Sequence, residues 1–136
     1  MALSKFITMV YVTVDPGSGD VACGSAGHPR PRIVTPAGEV TVLEASGLAL
    51  GVDAGQAYDE KRERLPVGGA LVLYTDGVIE ARRDGVLYGE ERLDALLSAH
   101  ALLPAAELAR AVVEDCRAFT GGDLTDDCAV VVIRRT

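Results

Sequence analysis

The stretch Ala70-Leu71-Val72-Leu73-Tyr74-Thr75-Asp76-Gly77 constrains this chain more than any other. Five apolar or aromatic residues leave the turn at 66–69 and run straight into Thr-Asp-Gly. Such a run reads as a buried strand that stops abruptly. A carboxylate at the end of a buried strand is held by a rigid element, yet it can reach solvent or a cation. Gly77 lets the backbone turn there without a Cβ clash. A plain strand followed by a turn fits the same residues, since Asp-Gly is a common turn pair.

A chain of 136 residues fits one domain, residues 1–136, around a single core. Hydrophobic residues make up 49% and charged ones 24%, a globular rather than a disordered profile. The net charge of −7 disfavours nucleic acid and anionic membrane as partners, and suits a site that gathers cations. No apolar run has the length of a membrane span, and the first five residues do not read as a signal peptide. Cys23, Cys116 and Cys128 are odd in number, lack C-x-x-C spacing and lie among apolar residues. They read as reduced core thiols of a cytoplasmic protein.

The rest of the chain supplies partners for the 70–75 strand. Residues 6–14 are β-branched and aromatic on both faces, the pattern of a central strand. The Asp15-Pro16-Gly17-Ser18-Gly19 turn sends the chain back through 20–25 as an antiparallel strand. Two prolines make 26–31 a loop. Residues 32–35 and 39–43 form a short hairpin about Pro36-Ala37-Gly38. The 44–57 segment is a connection without periodicity. The charges of 58–65 belong at a sheet edge. Residues 78–88 are an excursion that turns at Asp84-Gly85. One helix spans 90–100, with Leu93, Leu96, Leu97 and His100 on one face and Glu90 and Glu91 at its positive end. A second starts at Pro104, buries Leu108, Val112, Cys116 and Phe119, and ends at Gly121. A polar loop at 122–127 leads to a last buried strand, 128–133. Short turns between most strands predict mainly antiparallel sheets, with the helices grouped late.

Two acidic loops carry the candidate chemistry. Asp76-Gly77 follows one buried strand, and Asp126-Asp127 precedes another. If the two strands are antiparallel neighbours, the carboxylates meet at one end of the sheet. Clustered carboxylates repel one another unless a cation is present. Hard oxygen donors with waters suit Mg²⁺ or Mn²⁺. Two unrelated turns are the alternative reading.

Several segments, in order, resemble the PPM family of metal-dependent serine/threonine protein phosphatases, in its SpoIIE-like bacterial branch. They are Met9-Val10-Tyr11 with Asp15-Pro16 and Gly19; Ala26-Gly27-His28-Pro29 with Pro31; and Gly47 with Leu50-Gly51. Leu73-Tyr74-Thr75-Asp76-Gly77-Val78 with Glu80-Ala81 follows, then Leu87-Tyr88-Gly89 with Glu91-Arg92-Leu93, and finally Asp126-Asp127. The resemblance implies an α+β fold: an antiparallel β-sandwich with helices on the outside, and two Mn²⁺ or Mg²⁺ ions at one end. It implies that Asp76 and Asp126 are catalytic metal ligands, with Gly77 at the metal as well. Asp127 and His28 would stand behind the ligands. The implied substrate is a phosphoserine or phosphothreonine protein, typically a phosphorylated anti-anti-sigma factor. The family's first metal-binding segment, Asp-x-x-Gly-His-Gly, has no match in these 136 residues. The expected fold therefore lacks its N-terminal part, and the expected metal site is weak. An uncovered strand near the start predicts self-association. A non-catalytic module that binds a regulatory partner is the alternative function.

Overall fold

The computed structural model describes residues 7–136 except 46, 56, 123, 125 and 126. The strands are β1 (Met9–Val14), β2 (Asp20–Ala26), β3 (Arg32–Val34), β4 (Val40–Val42), β5 (Glu60–Arg64) and β6 (Ala70–Tyr74). A short helix α1 (Asp76–Ile79) and the ribbon β7 (Arg82–Arg83) and β8 (Val86–Leu87) follow. Helices α2 (Gly89–Ala99) and α3 (Ala105–Thr120) then lead to β9 (Val130–Arg134). One sheet has the order β1-β2-β5 and the other β4-β3-β6-β9, with every ladder antiparallel. The expected fold class is the observed one: two antiparallel sheets with helices packed on one of them.

Alternation along β6 explains the layering. Leu71 faces the other sheet, where it joins Ile33, Val21, Cys23, Leu43 and Leu65. Ala70, Val72 and Tyr74 face the opposite way, into a second core with Leu93 and Leu97 of α2 and Leu108, Val112 and Cys116 of α3. Helices therefore cover only the four-stranded sheet. No helix covers the outer face of the three-stranded sheet: Met9 and Tyr11 of β1 are exposed there, while Ala22 and Ala26 of β2 are buried and the Tyr11 ring lies over Gly24. Burial pushes the Cys116 thiol up to about 12. All three cysteines are free, and Cys23 and Cys116 are buried. Among the described residues no helix is long and apolar enough to cross a membrane.

Arginines tie the layers together. Arg32 of β3 is only 1% exposed. Its Nε donates to Asp94 (2.7 Å) and its Nη2 to Glu90 (3.0 Å), both on α2, and its Nη1 donates to the Arg30 carbonyl (2.7 Å). Arg134 donates to the carbonyls of Gly68, Ala101 and Leu103, and so fastens the α2–α3 connection to the sheet. Arg135 reaches the carbonyls of Leu65 and Gly17 and bridges toward the β1–β2 turn.

Several sequence expectations need correction. The expected central strand over residues 6–14 is not one: among the described residues β1 pairs only with β2, and it buries one face in part. Apolar residues on both faces do not by themselves place a strand inside a sheet, since position in the sheet is set by backbone pairing on both edges. Nor is the last strand buried. β9 is an edge, with Val131 55% and Ile133 39% exposed. His100 is exposed at the C-cap of α2 rather than on its buried face. Pro104 is the N-cap of α3, with ψ 155°, and the helix begins one residue later. The 84–85 turn is as expected: Asp84 and Gly85 both have positive φ, 51° and 80°, which matches the twist of a tight ribbon.

Candidate metal centre

β6 and β9 are antiparallel neighbours in the register Leu71↔Ile133 to Tyr74↔Val130. The end of one therefore lies beside the start of the other. Thr75 joins the two ends. Its N–H donates to the Ala129 carbonyl (3.1 Å), and its hydroxyl accepts from the Ala129 N–H (3.0 Å) and donates to the Asp127 carbonyl (3.3 Å). A threonine at this position thus ties down the segment that carries Asp127.

Asp76 follows directly. The backbone does not simply turn here; it enters α1, where the Asp76 carbonyl accepts from the Glu80 N–H (2.9 Å). This corrects the expected turn, and it changes the reason for Gly77. Gly77 is not among the glycines with positive φ. Instead, a Cβ on it would stand 2.1 Å from the Asp127 carbonyl oxygen. Only glycine lets the two backbones approach this closely.

The two loops share a cavity of about 360 Å³ lined by Thr8, His28, Pro29, Thr75, Asp76, Gly77, Glu80 and Asp127. The structure therefore brings together Asp76, Gly77, Asp127 and His28. Asp126 lies outside the described residues. Thr8, Thr75 and Glu80 are site residues that sequence reasoning missed. The Glu80 signal was its i+4 spacing from Asp76, which becomes meaningful only if 76–79 is helical.

His28 is held by backbone contacts. The buried Ser25 hydroxyl accepts from the His28 N–H (3.2 Å) and donates to the His28 carbonyl (3.3 Å). Its ring Nδ1 lies 3.2 Å from the Pro29 carbonyl. Further along this loop, Arg30 pairs with Glu44 and Glu90. The Arg32 hydrogen bond is the main cause that holds the Glu90 carboxyl below the usual range.

The donor set is carboxylate and hydroxyl oxygen with one imidazole. That chemistry fits a hard divalent cation that keeps several waters. Among the described residues no three of His, Cys, Asp and Glu close around a single ion.

Comparison with known proteins agrees with this architecture. The family description Stage II sporulation protein E (SpoIIE) matches residues 1–136. The phosphoserine phosphatase RsbU of Bacillus subtilis (strain 168) is 30% identical over 134 residues, which is 97% of this chain and 40% of RsbU. A structure of the phosphatase domain of SpoIIE from Bacillus subtilis superposes with a TM-score of 0.77 at 19% identity, over 94% of this chain and 58% of that one. The SiaA-PP2C domain of Pseudomonas aeruginosa gives a TM-score of 0.77 at 25% identity, over 93% of this chain and 50% of that one. The chain thus spans less than two thirds of each of these relatives. A match over every residue, together with the same sandwich, establishes that the chain belongs to the SpoIIE family and carries a PPM-type phosphatase fold.

Proposed function

We propose that the chain contributes to a metal-dependent phosphoserine or phosphothreonine protein phosphatase of the SpoIIE type. Its substrate would be a phosphorylated protein like an anti-anti-sigma factor. The observation that carries this reading is the Thr75 junction, which joins the Asp76 and Asp127 segments at the rim of one cavity. In this reading Asp76 holds Mn²⁺ or Mg²⁺ through its carboxylate, and Gly77 stands beside it. Asp126 supplies a second carboxylate, a role that rests on the family resemblance alone. Asp127 and Glu80 add negative charge at the rim. When bound, the cation stabilises charge on a transferring phosphoryl group. The chain's own residues fix where that cation sits, and the polar rim lets a charged phosphoester enter.

A second reading is a non-catalytic module that binds a regulatory partner on the phosphatase fold. It is favoured by the absence, among the described residues, of three side chains that close around one ion. One experiment separates the two. Mn²⁺ is titrated into isotope-labelled chain while the Gly77 and Asp127 amide signals are followed, and phosphate release from a phosphoserine peptide is measured in parallel. The phosphatase reading expects local broadening at Gly77 that Asp76→Ala removes. It expects slow turnover even in excess Mn²⁺, because few ligands hold the ion. Broadening elsewhere only, with no release of phosphate, would leave the partner-binding reading.

A further inference from the structure

We propose that His28 is a catalytic residue that contacts the phosphoryl group of the substrate through Nε2. This deepens the phosphatase reading above and rests on it. His28 lines the same cavity as Asp76, Gly77, Glu80 and Asp127, and it also borders a second cavity beside Val10, Leu73 and Val131. In the phosphatase reading the first of these cavities receives the phosphoester, so His28 stands where the phosphoryl group enters.

Hydrogen-bond chemistry assigns the two ring nitrogens different tasks. A backbone carbonyl can only accept, so the contact between Nδ1 and the Pro29 carbonyl requires a proton on Nδ1. Among the described residues Nε2 has no hydrogen-bond partner. It is left to a ligand, and it offers one hydrogen bond to a phosphoryl oxygen. A monoanionic phosphoester donates to a neutral imidazole, and a dianionic one accepts from an imidazolium; either way a single N···O bond forms. The ring is also preorganised. Ser25, 4% exposed, holds both the N–H and the carbonyl of His28. Arg32 holds the Arg30 carbonyl two residues on. A side chain whose backbone is clamped on both sides loses little freedom when it meets its ligand.

The chain has two histidines, and His100, exposed at the end of α2, serves as an internal reference. O-phospho-L-serine is titrated into the labelled chain in the presence of Mg²⁺, and both imidazole ring signals and the Gly77 and Asp127 amides are followed. The expected result is a shift of the His28 Nε2 signal while His100 stays unmoved. Two variants test which nitrogen matters. Asn reproduces the Nδ1 contact to Pro29 and cannot reach as far as Nε2; Gln does the reverse. His28→Gln should keep the affinity for phosphoserine within a few-fold, and His28→Asn should lose about ten-fold or more, the worth of a hydrogen bond to a charged group. Shifts at Gly77 with an unmoved His28, or an Asn variant that binds better than Gln, overturn the inference and leave the phosphatase reading in place. Silence at Gly77, Asp127 and His28 together overturns both.

Discussion

Both faces of the four-stranded sheet are rich in apolar residues, and they differ in what lies across them. On the helix side, Val34, Ala70 and Val72 are sealed by α2 and α3. On the other side, Ile33 and Leu71 pack with Val21 and Cys23 of β2, while Ile133, in the same row, and Val131, opposite Leu73, stand open. The three-stranded sheet does not reach over β9. Apolar residues therefore identify a strand, but burial depends on the opposing layer, and the free edges of β1 and β9 mark where a layer ends.

Mutations along the Leu71–Ile133 rung can break this contrast. Leu71→Ala leaves a cavity in a sealed core and should cost about 2–5 kcal/mol in urea unfolding. Arg32→Ala should come next, at about 2–3 kcal/mol. That is less than the 3–5 of a fully buried pair, because the side chains of Glu90 and Asp94 stay 39% and 34% exposed.

The same ion pair predicts a pH dependence. The folded-state carboxyl of Glu90 is depressed, so its contribution is complete above the ordinary carboxylate value, about 4.3, and is lost as pH falls through the lower folded one. Acid titration of stability in Glu90→Gln should lack this part of the slope. An unchanged slope would mean that Arg32 finds equivalent partners without Glu90.

Gly77→Ala forces a Cβ onto the Asp127 carbonyl and should cost about 1–3 kcal/mol. It should also weaken Mn²⁺ broadening at the junction, which a purely local strain would not do. The smallest effect belongs to Ile133→Ala, about 1 kcal/mol or less for a side chain already partly in water. A cost as large as that of Leu71→Ala would show that the open edge is covered in solution. If that cost rises with protein concentration, the cover is a second copy of the chain.

Local chemistry made much of the fold legible. The 15–19 and 84–85 turns, the charged edge strand β5 and the Gly121 cap of α3 each follow from a few neighbouring residues. The pairing of β6 with β9 was legible for a different reason: each is an apolar run next to an acidic loop, and placing the loops together satisfies both. Edge positions were not legible. Residues 6–14 and 128–133 read as buried strands, and nothing within them records that their second face lacks a cover.

The site divides in the same way. Sequence alone determined that a carboxylate stands at the end of a buried strand, that a second acidic pair precedes another, and that His28 lies in a proline-rich loop, because these depend on covalent order and local preference. Tertiary structure decided the rest. The Thr75 hydroxyl joins two segments 52 residues apart. Gly77 is required by a contact with Asp127 rather than by its own φ. Glu80 enters the cavity only because 76–79 is helical. Which nitrogen of His28 is engaged by the backbone is set by the fold of its loop onto Pro29. Each of these depends on a distance between groups that only the folded backbone brings together, and hydrogen bonds and close packing are sensitive to a few tenths of an ångström.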